Sequence, residues 1–326
     1  MAIRLDSSRL VTVYGGSGFV GRHVVQALAR TGCRIRVAVR RPDLCGHLQP
    51  LGSVGQIHAV QANLRYQDSV MRAGEGADAV VNLVGILFQT GKQTFSAVQA
   101  DGARNVALAA KMNGARAMVH VSAIGADARS PSKYAQSKAA GESHVLKTCK
   151  EAVILRPSIV FGPEDDFFNR FAAMARISPV LPLIGGGKTR FQPVYAGDVG
   201  KAVTAALQGK ATAGQTYELG GPEILTFREV LERILEYTER KRLLVPVPFW
   251  LAHLKATFLQ LFPTPLLTVD QVKLLESDNV VSVNARTGRR TLQGLGVDPV
   301  SIGAVVPDYL SRFRAYGEFS SFRRQA

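Results

Sequence analysis

Two groups of residues in this 326-residue chain have the types and spacing for chemistry. Gly15-Gly16-Ser17-Gly18-Phe19-Val20-Gly21 follows an apolar, strand-like run and opens a helix-like one. In that setting Gly15 permits a tight turn, Gly18 lets backbone approach phosphate, and Gly21 lets helix and strand pack closely. The helix N-terminus then offers unpaired N–H groups and a partial positive charge to a dinucleotide pyrophosphate. Further on, Tyr134 and Lys138 of Tyr134-Ala135-Gln136-Ser137-Lys138 stand one helical turn apart and share a face. An ammonium there lowers the phenol pKa and can hold a nicotinamide ribose. The phenol then exchanges a proton with a carbonyl or an alcohol. Ser122 ends the strand before this helix.

The end of the second strand selects the nucleotide. A site for NAD usually places Asp or Glu there, on the ribose 2′-OH, but here the strand reads Val37-Ala38-Val39-Arg40-Arg41 and the nearest acid, Asp43, lies beyond Pro42. Two guanidinium groups match a 2′-phosphate in charge and geometry, so the expected cofactor is NADP(H). Asn63 and Leu64 follow the third strand, where an amide side chain can bond the adenine amino group. Val84 and Gly85 follow the fourth, where glycine lets backbone near the cofactor, and Asn82 is expected to brace that turn.

These residues need a parallel sheet to position them. Leu10–Tyr14, Ile35–Val39, Ile57–Gln61, Ala79–Val84, Ala117–Val121 and Ala152–Leu155 read as strands. Helical periodicity fills Val20–Leu28, Phe95–Met112 and Tyr134–Thr148 between them. Strands alternating with amphipathic helices predict an α/β fold: a doubly wound parallel Rossmann sheet with a smaller, mixed C-terminal domain. The nucleotide-binding domain is expected over 1–160, with crossover segments from about 190–225, and the smaller domain over 161–326. In the second part Ala196–Leu207 and Phe227–Tyr237 read as helices, the latter opened by Thr226 with Glu229 three residues on.

Composition narrows the setting. With 46% hydrophobic and 20% charged residues the chain is a folded globular protein. A net charge of +15 suits an acidic protein or an anionic membrane surface, or is simply a solvated basic exterior. No nucleic acid is expected, because the cations are dispersed and no recognition motif accompanies them. Local concentrations are Arg240-Lys241-Arg242, Arg286 to Arg290, and Arg312, Arg314, Arg323 and Arg324. Cys33, Cys45 and Cys149 are odd in number and lack metal-ligand spacing, which points to a reducing compartment and to no metal. No apolar run reaches the length that spans a bilayer, and nothing at the start resembles a signal or transit leader, which points to a bacterial source.

With the glycine turn, Tyr134 and Lys138, and Arg156-Pro157-Ser158-Ile159-Val160-Phe161-Gly162-Pro163, residues 9 to 225 resemble the extended short-chain dehydrogenase/reductase superfamily. The resemblance implies that Ser17, Phe19, Val20, Ser122, Pro157 and Ile159 also meet the cofactor. It implies too that a Ser or Thr just past strand five polarises the substrate oxygen; Ser122 is the candidate here, and the positions one and two residues later, where that hydroxyl commonly falls, are Ala123 and Ile124. The C-terminal third, from Val245-Pro246-Val247-Pro248-Phe249-Trp250 through Phe262-Pro263-Thr264-Pro265 to Ser277-Asp278-Asn279-Val280-Val281, is similar to the NADPH-binding accessory subunits of respiratory complex I. That likeness implies tightly held NADPH and no turnover. It places the chain beside other complex I subunits near the junction of the hydrophilic and membrane arms. In a bacterium this is a peripheral position on the cytoplasmic face of the inner membrane, equivalent to the mitochondrial matrix face.

Phe249 to Phe262 reads as a helix that is apolar almost all round and too short to span a bilayer. It is either an interfacial or partner-docking helix, with anionic lipid or an acidic subunit opposite, or a buried helix of the smaller domain. Intact Tyr134 and Lys138 keep a second reading open: a free NADPH-dependent reductase, or an epimerase or dehydratase. A third, an NADP(H) redox sensor, has no residue that selects it.

Overall fold

The computed structural model describes residues 3–260, 262 and 265–315. Pro263, Thr264, Arg323 and Arg324, cited above, lie outside them, as does Leu261 within the expected helix Phe249 to Phe262. Two compact units emerge: Met1–Pro157 with Ala196–Leu219 and Val281–Asp298, and Ser158–Tyr195 with Gly220–Val280 and Pro299–Ala326. The first unit thus takes in Val281–Asp298, a segment that the sequence places in the smaller domain. Its ties run through side chains: the Glu218 carboxylate accepts from Ser282 N–H, and Arg290 Nη1 donates to Gln215 Oε1, neither of which leaves a periodic trace.

The first unit is a seven-stranded parallel sheet of β1 (Leu10–Tyr14), β2 (Arg34–Val39), β3 (Ile57–Gln61), β4 (Ala79–Asn82), β5 (Ala117–Val121), β6 (Val153–Pro157) and β7 (Thr216–Leu219), in the order β7-β6-β5-β4-β1-β2-β3. The edge strand β7 lies inside the stretch expected to hold only crossovers. Four helices lie between β1 and β6, α1 (Phe19–Ala29), α2 (Gln67–Gly74), α3 (Asp101–Met112) and α4 (Lys133–Thr148), and helix Ala196–Leu207 precedes β7. Strands buried on both sides become continuous apolar runs, which is why Val11, Val13, Val80 and Val81 are fully buried. On one face Tyr14, Val70, Val106 and Val145 share a core with Ile154. On the other, α1 meets helix Ala196–Leu207 so closely that a Cβ on Gly200 would lie 2.6 Å from the His23 carbonyl oxygen.

Strand order reverses between β1 and β4, and a crevice opens there at the carboxyl ends of the strands. Before α3 the chain makes a π turn, Ser96–Ala100, where the sequence reads as one continuous helix. Gly141 of α4 packs against it, and a Cβ there would come within 2.4 Å of the Gln99 carbonyl oxygen.

Among its described residues the second unit has three two-stranded sheets and a core of Phe161, Phe168, Phe191 and Phe227 with Leu231 and Ile234. Helix Phe227–Tyr237 opens with the reciprocal Thr226–Glu229 capping box expected from the sequence. Buried Asp165 caps helix Phe167–Ile177 through the Phe168 N–H and also accepts from the Tyr309 hydroxyl. The apolar helix runs Phe249–Leu259, a turn shorter than predicted.

Candidate functional site

The crevice of the first unit is a cleft of about 350 Å³. The glycine turn, Ala38 to Arg40, Ala62 to Arg65 and Leu83 to Ile86 line it, with Gln93 and Val98. Gly15, Ser17, Gly18, Phe19, Val20, Gly21, Arg40, Asn63, Leu64, Val84 and Gly85 are therefore gathered where the sequence expects them. Gly15 has φ +81°, a left-handed conformation that favours glycine, and its N–H reaches the Ala38 carbonyl at 3.0 Å. At Gly21 a Cβ would sit 2.4 Å from the Gly15 oxygen, so only glycine lets α1 start this close to the turn. Gly18 caps α1 without a side-chain acceptor, leaving first-turn N–H groups for an anion.

Arg40 and Arg41 part company. Arg40 lines the cleft and donates to Gln93 Oε1 at 2.5 Å. Arg41 does not line it; its guanidinium forks onto Asp43 with Nη2–Oδ2 at 2.8 Å, and that bond holds the Asp43 carboxyl below its ordinary pKa. The acid beyond Pro42 neutralises the second arginine, a pairing invisible without the turn between them. Its place is taken by Arg65, which the sequence reading passed over. Arg65 lines the cleft, donates to the Lys92 carbonyl at 3.4 Å and lies over the Tyr66 ring. Asn63 accepts from Arg65 N–H and so shapes this corner through the backbone, while Asn82 braces its turn through Val84 N–H as expected.

Tyr134 and Lys138 rise from the first turns of α4, which Ser132 caps by accepting from Ala135 N–H. The Lys138 ammonium stands 5.9 Å from the Tyr134 ring centroid and 3.4 Å from the Val121 carbonyl it donates to. Phe95 meets the same ring edge-on at 5.8 Å. Burial lowers the Lys138 pKa to about 8, against the pull of Glu142, which is itself bound to Arg156 at 2.6 Å. A Cβ on Gly85 would approach Lys138 Nζ to 3.1 Å and Gln99 Oε1 to 3.6 Å, so glycine keeps this floor open.

Three polar atoms beside this pair are buried with no protein partner: Gln99 Oε1, Ser122 Oγ and His120 Nε2. Leaving such atoms unbonded is costly, so they mark where a polar ligand or water belongs. Gln99 donates to Ser137 Oγ, which orients its free oxygen. Asn82 uses its oxygen on Val84, so its amide nitrogen donates to His120 Nδ1 at 3.1 Å, which puts the imidazole hydrogen on Nε2. His120 is held neutral, its pKa pushed down to about 3 by burial and then by the Lys138 charge. An ammonium, a free amide oxygen and a free hydroxyl suit ribose hydroxyls and a carboxamide, so the residues fit a nicotinamide dinucleotide.

The remaining expected residues do not line the cleft. Ser122, Tyr134, Lys138 and Pro157 lie outside its lining, and the Pro157 carbonyl accepts from Ile124 N–H. Ile159 belongs to the second unit, where its N–H donates to Asn279 Oδ1 at 3.2 Å. Ile124 is buried with Val281 and Ala285, so an apolar contact occupies a position where the resemblance implies a catalytic hydroxyl. Among the described residues no group of three or more metal-ligating side chains exists, and no helix is long and apolar enough to cross a membrane.

Residues 11–220 match the NAD dependent epimerase/dehydratase family. Over 323 residues the chain is 34% identical to NADH dehydrogenase (ubiquinone) 1 alpha subcomplex subunit 9, mitochondrial, of Arabidopsis thaliana, covering 95% of this chain and 79% of that protein. It is 36% identical to a ceramide reductase of Caulobacter vibrioides over 179 residues, 55% of each chain. The Escherichia coli NADPH-dependent quinone oxidoreductase in complex with NADPH superposes with a TM-score of 0.72 at 18% identity, over 92% of this chain and 99% of that one, which speaks for the fold alone.

Proposed function

The chain belongs to the NAD dependent epimerase/dehydratase family, in the branch of the mitochondrial complex I alpha subcomplex subunit 9 proteins, and from that membership we propose that it is a nucleotide-holding accessory subunit of NADH:quinone oxidoreductase. One observation carries this reading: the likeness to the mitochondrial subunit runs through 95% of the chain, whereas the likeness to the reductase stops at 55%. Its partners are the other complex I subunits near the junction of the two arms. Its place is peripheral, on the cytoplasmic face of a bacterial inner membrane, the counterpart of the matrix face.

The nucleotide is NADPH, which supplies phosphate charge and ribose hydroxyls to a site that otherwise leaves both unmatched. Gly15, Gly18 and the first turn of α1 receive the pyrophosphate. Arg40 and Arg65 take the 2′-phosphate, since no carboxylate lines the cleft to accept from a 2′-OH. Lys138, Gln99 and Ser122 satisfy their buried polar atoms on the ribose and carboxamide. The result is a staple: a ligand that binds the folded state alone stabilises it by about 4 kcal/mol at a thousandfold excess over Kd.

The enzyme reading rests on Tyr134 and Lys138, which are correctly paired. Against it, Ala123 and the packed Ile124 follow Ser122, and the Ser122 hydroxyl is buried. Purified chain should retain NADPH, melt at a higher temperature with it than without, and keep it reduced through a screen of cellular ketones, aldehydes and quinones. Oxidation of the bound NADPH by one of these, abolished by Tyr134→Phe with binding intact, would restore the reductase reading.

A further inference from the structure

Helix Phe249–Leu259 of the second unit is built the wrong way round for a helix that merely covers a core. Its fully buried positions are Ala252 and Ala256, whereas Trp250, Leu254 and Phe258, four residues apart and so on one face, stand 69%, 51% and 64% exposed. Of the fifteen large apolar side chains exposed among the described residues, seven fall between Leu243 and Leu266, which is a concentration and not the usual scatter. The helix is held firmly enough to present them: Phe249 sits over Gly185, and His253 Nε2 meets Glu276 Oε1 at 2.8 Å.

The segment's own sequence is one-sided in charge, the carboxylate that meets the helix being Glu276 at the end of the next helix, bound to His253. No Asp or Glu occurs from Arg240 to Val269, while Arg240, Lys241, Arg242 and Lys255 do. Arg240 and Arg242 spend hydrogen bonds on the Phe313 and Ala175 carbonyls and not on carboxylates. Burial, and then the charges of Arg242 and Arg176, hold Arg240 below its ordinary pKa, so these cations lie close to one another. Lys255 is exposed on the helix itself, next to Leu254.

We propose that this face docks on an anionic lipid bilayer, with helix Phe249–Leu259 lying in the plane of the interface and Trp250, Leu254 and Phe258 turned into the headgroup–acyl boundary. Eleven residues are too few to span, but a helix of this length lies in an interface readily. Tryptophan suits that depth, and lysine and arginine suit phosphate headgroups. An exposed apolar row with Lys255 beside it matches the acyl edge and the phosphate layer of a bilayer together, and a protein partner is the competing outcome of the test. The docking stands on residues of the second unit alone and does not depend on whether the nucleotide turns over.

Trp250 is the single tryptophan of the chain, so its emission reports on this face and no other. The test mixes full-length, nucleotide-loaded protein with vesicles of phosphatidylcholine containing phosphatidylglycerol, and with vesicles of phosphatidylcholine alone. Emission should shift to the blue with the anionic vesicles, be quenched by brominated acyl chains, and respond less as salt rises. Leu254→Glu with Phe258→Glu should lower partitioning about tenfold or more, with nucleotide binding unchanged. Emission that ignores anionic vesicles, including emission that moves only on joining partner subunits, overturns the proposal. So does equal binding to both vesicle types, or a folded double variant that binds like the parent.

Discussion

Lys138 is an ammonium placed where water does not reach, and the consequence is measurable without any ligand. Its pKa is lowered from 10.5 in the unfolded chain to about 8 in the fold, by burial. Between those values the unfolded chain binds the extra proton, so stability rises with pH from about 8 to 10.5 and is flat in this term below 8. Thermal melts across that window should show the slope, and Lys138→Met should remove it; a parent protein without the slope would refute the buried ammonium. The two cleft arginines make a second residue-scale prediction. Arg40→Ala and Arg65→Ala should each weaken NADPH binding about tenfold or more and leave NADH binding nearly unchanged, since each loses a charge-assisted bond to the 2′-phosphate. Calorimetry with both nucleotides decides it, and equal losses for NADH would mean that the guanidiniums serve the fold instead. Arg40 was legible as the end of a strand without an acid. Arg65 was not, because a residue in an irregular loop carries no period, and Arg41 misled because Asp43 folds back onto it only through the turn at Pro42.

At the scale of elements, the glycine turn and α1 form one unit whose geometry admits no side chain at Gly21. Gly21→Ala would force a Cβ to 2.4 Å from the Gly15 oxygen, so the variant should lose at least about 2 kcal/mol of stability, as strained overpacking does. Denaturant titration measures this, and a neutral result would mean that turn and helix separate easily. The strands and α4 were readable because a sheet buried on both faces demands apolar runs, and helices covering it demand a stripe. Thr226 announced its helix by cap chemistry that is local in sequence. The π turn at Ser96–Ala100 was hidden, because one extra residue in a turn barely changes the apolar spacing, yet it sets the free oxygen of Gln99 beside Lys138. Helix Phe249–Leu259 was visible but ambiguous: an apolar run shows that the helix is greasy, not which side faces out. Only the burial of Ala252 and Ala256 answers that.

For the whole molecule, the sheet order, the cleft at its reversal point and a likeness to a complex I subunit over 95% of the chain support the proposal that the nucleotide is part of the architecture. The sheet could be anticipated from alternation alone. The return of Val281–Asp298 to the first unit could not, since it depends on contacts between distant segments such as Arg290 with Gln215. A subunit stapled by a ligand should assemble only when the staple is in place. The most direct test is native-gel fractionation of gently solubilised membranes from cells making either the parent chain or an Arg40→Ala, Arg65→Ala chain, each followed by mass spectrometry. The parent should migrate with NADH:quinone oxidoreductase and carry NADPH, and the double variant should be depleted from that band. A parent chain found only as a free species near its own mass or that of a dimer would contradict the account.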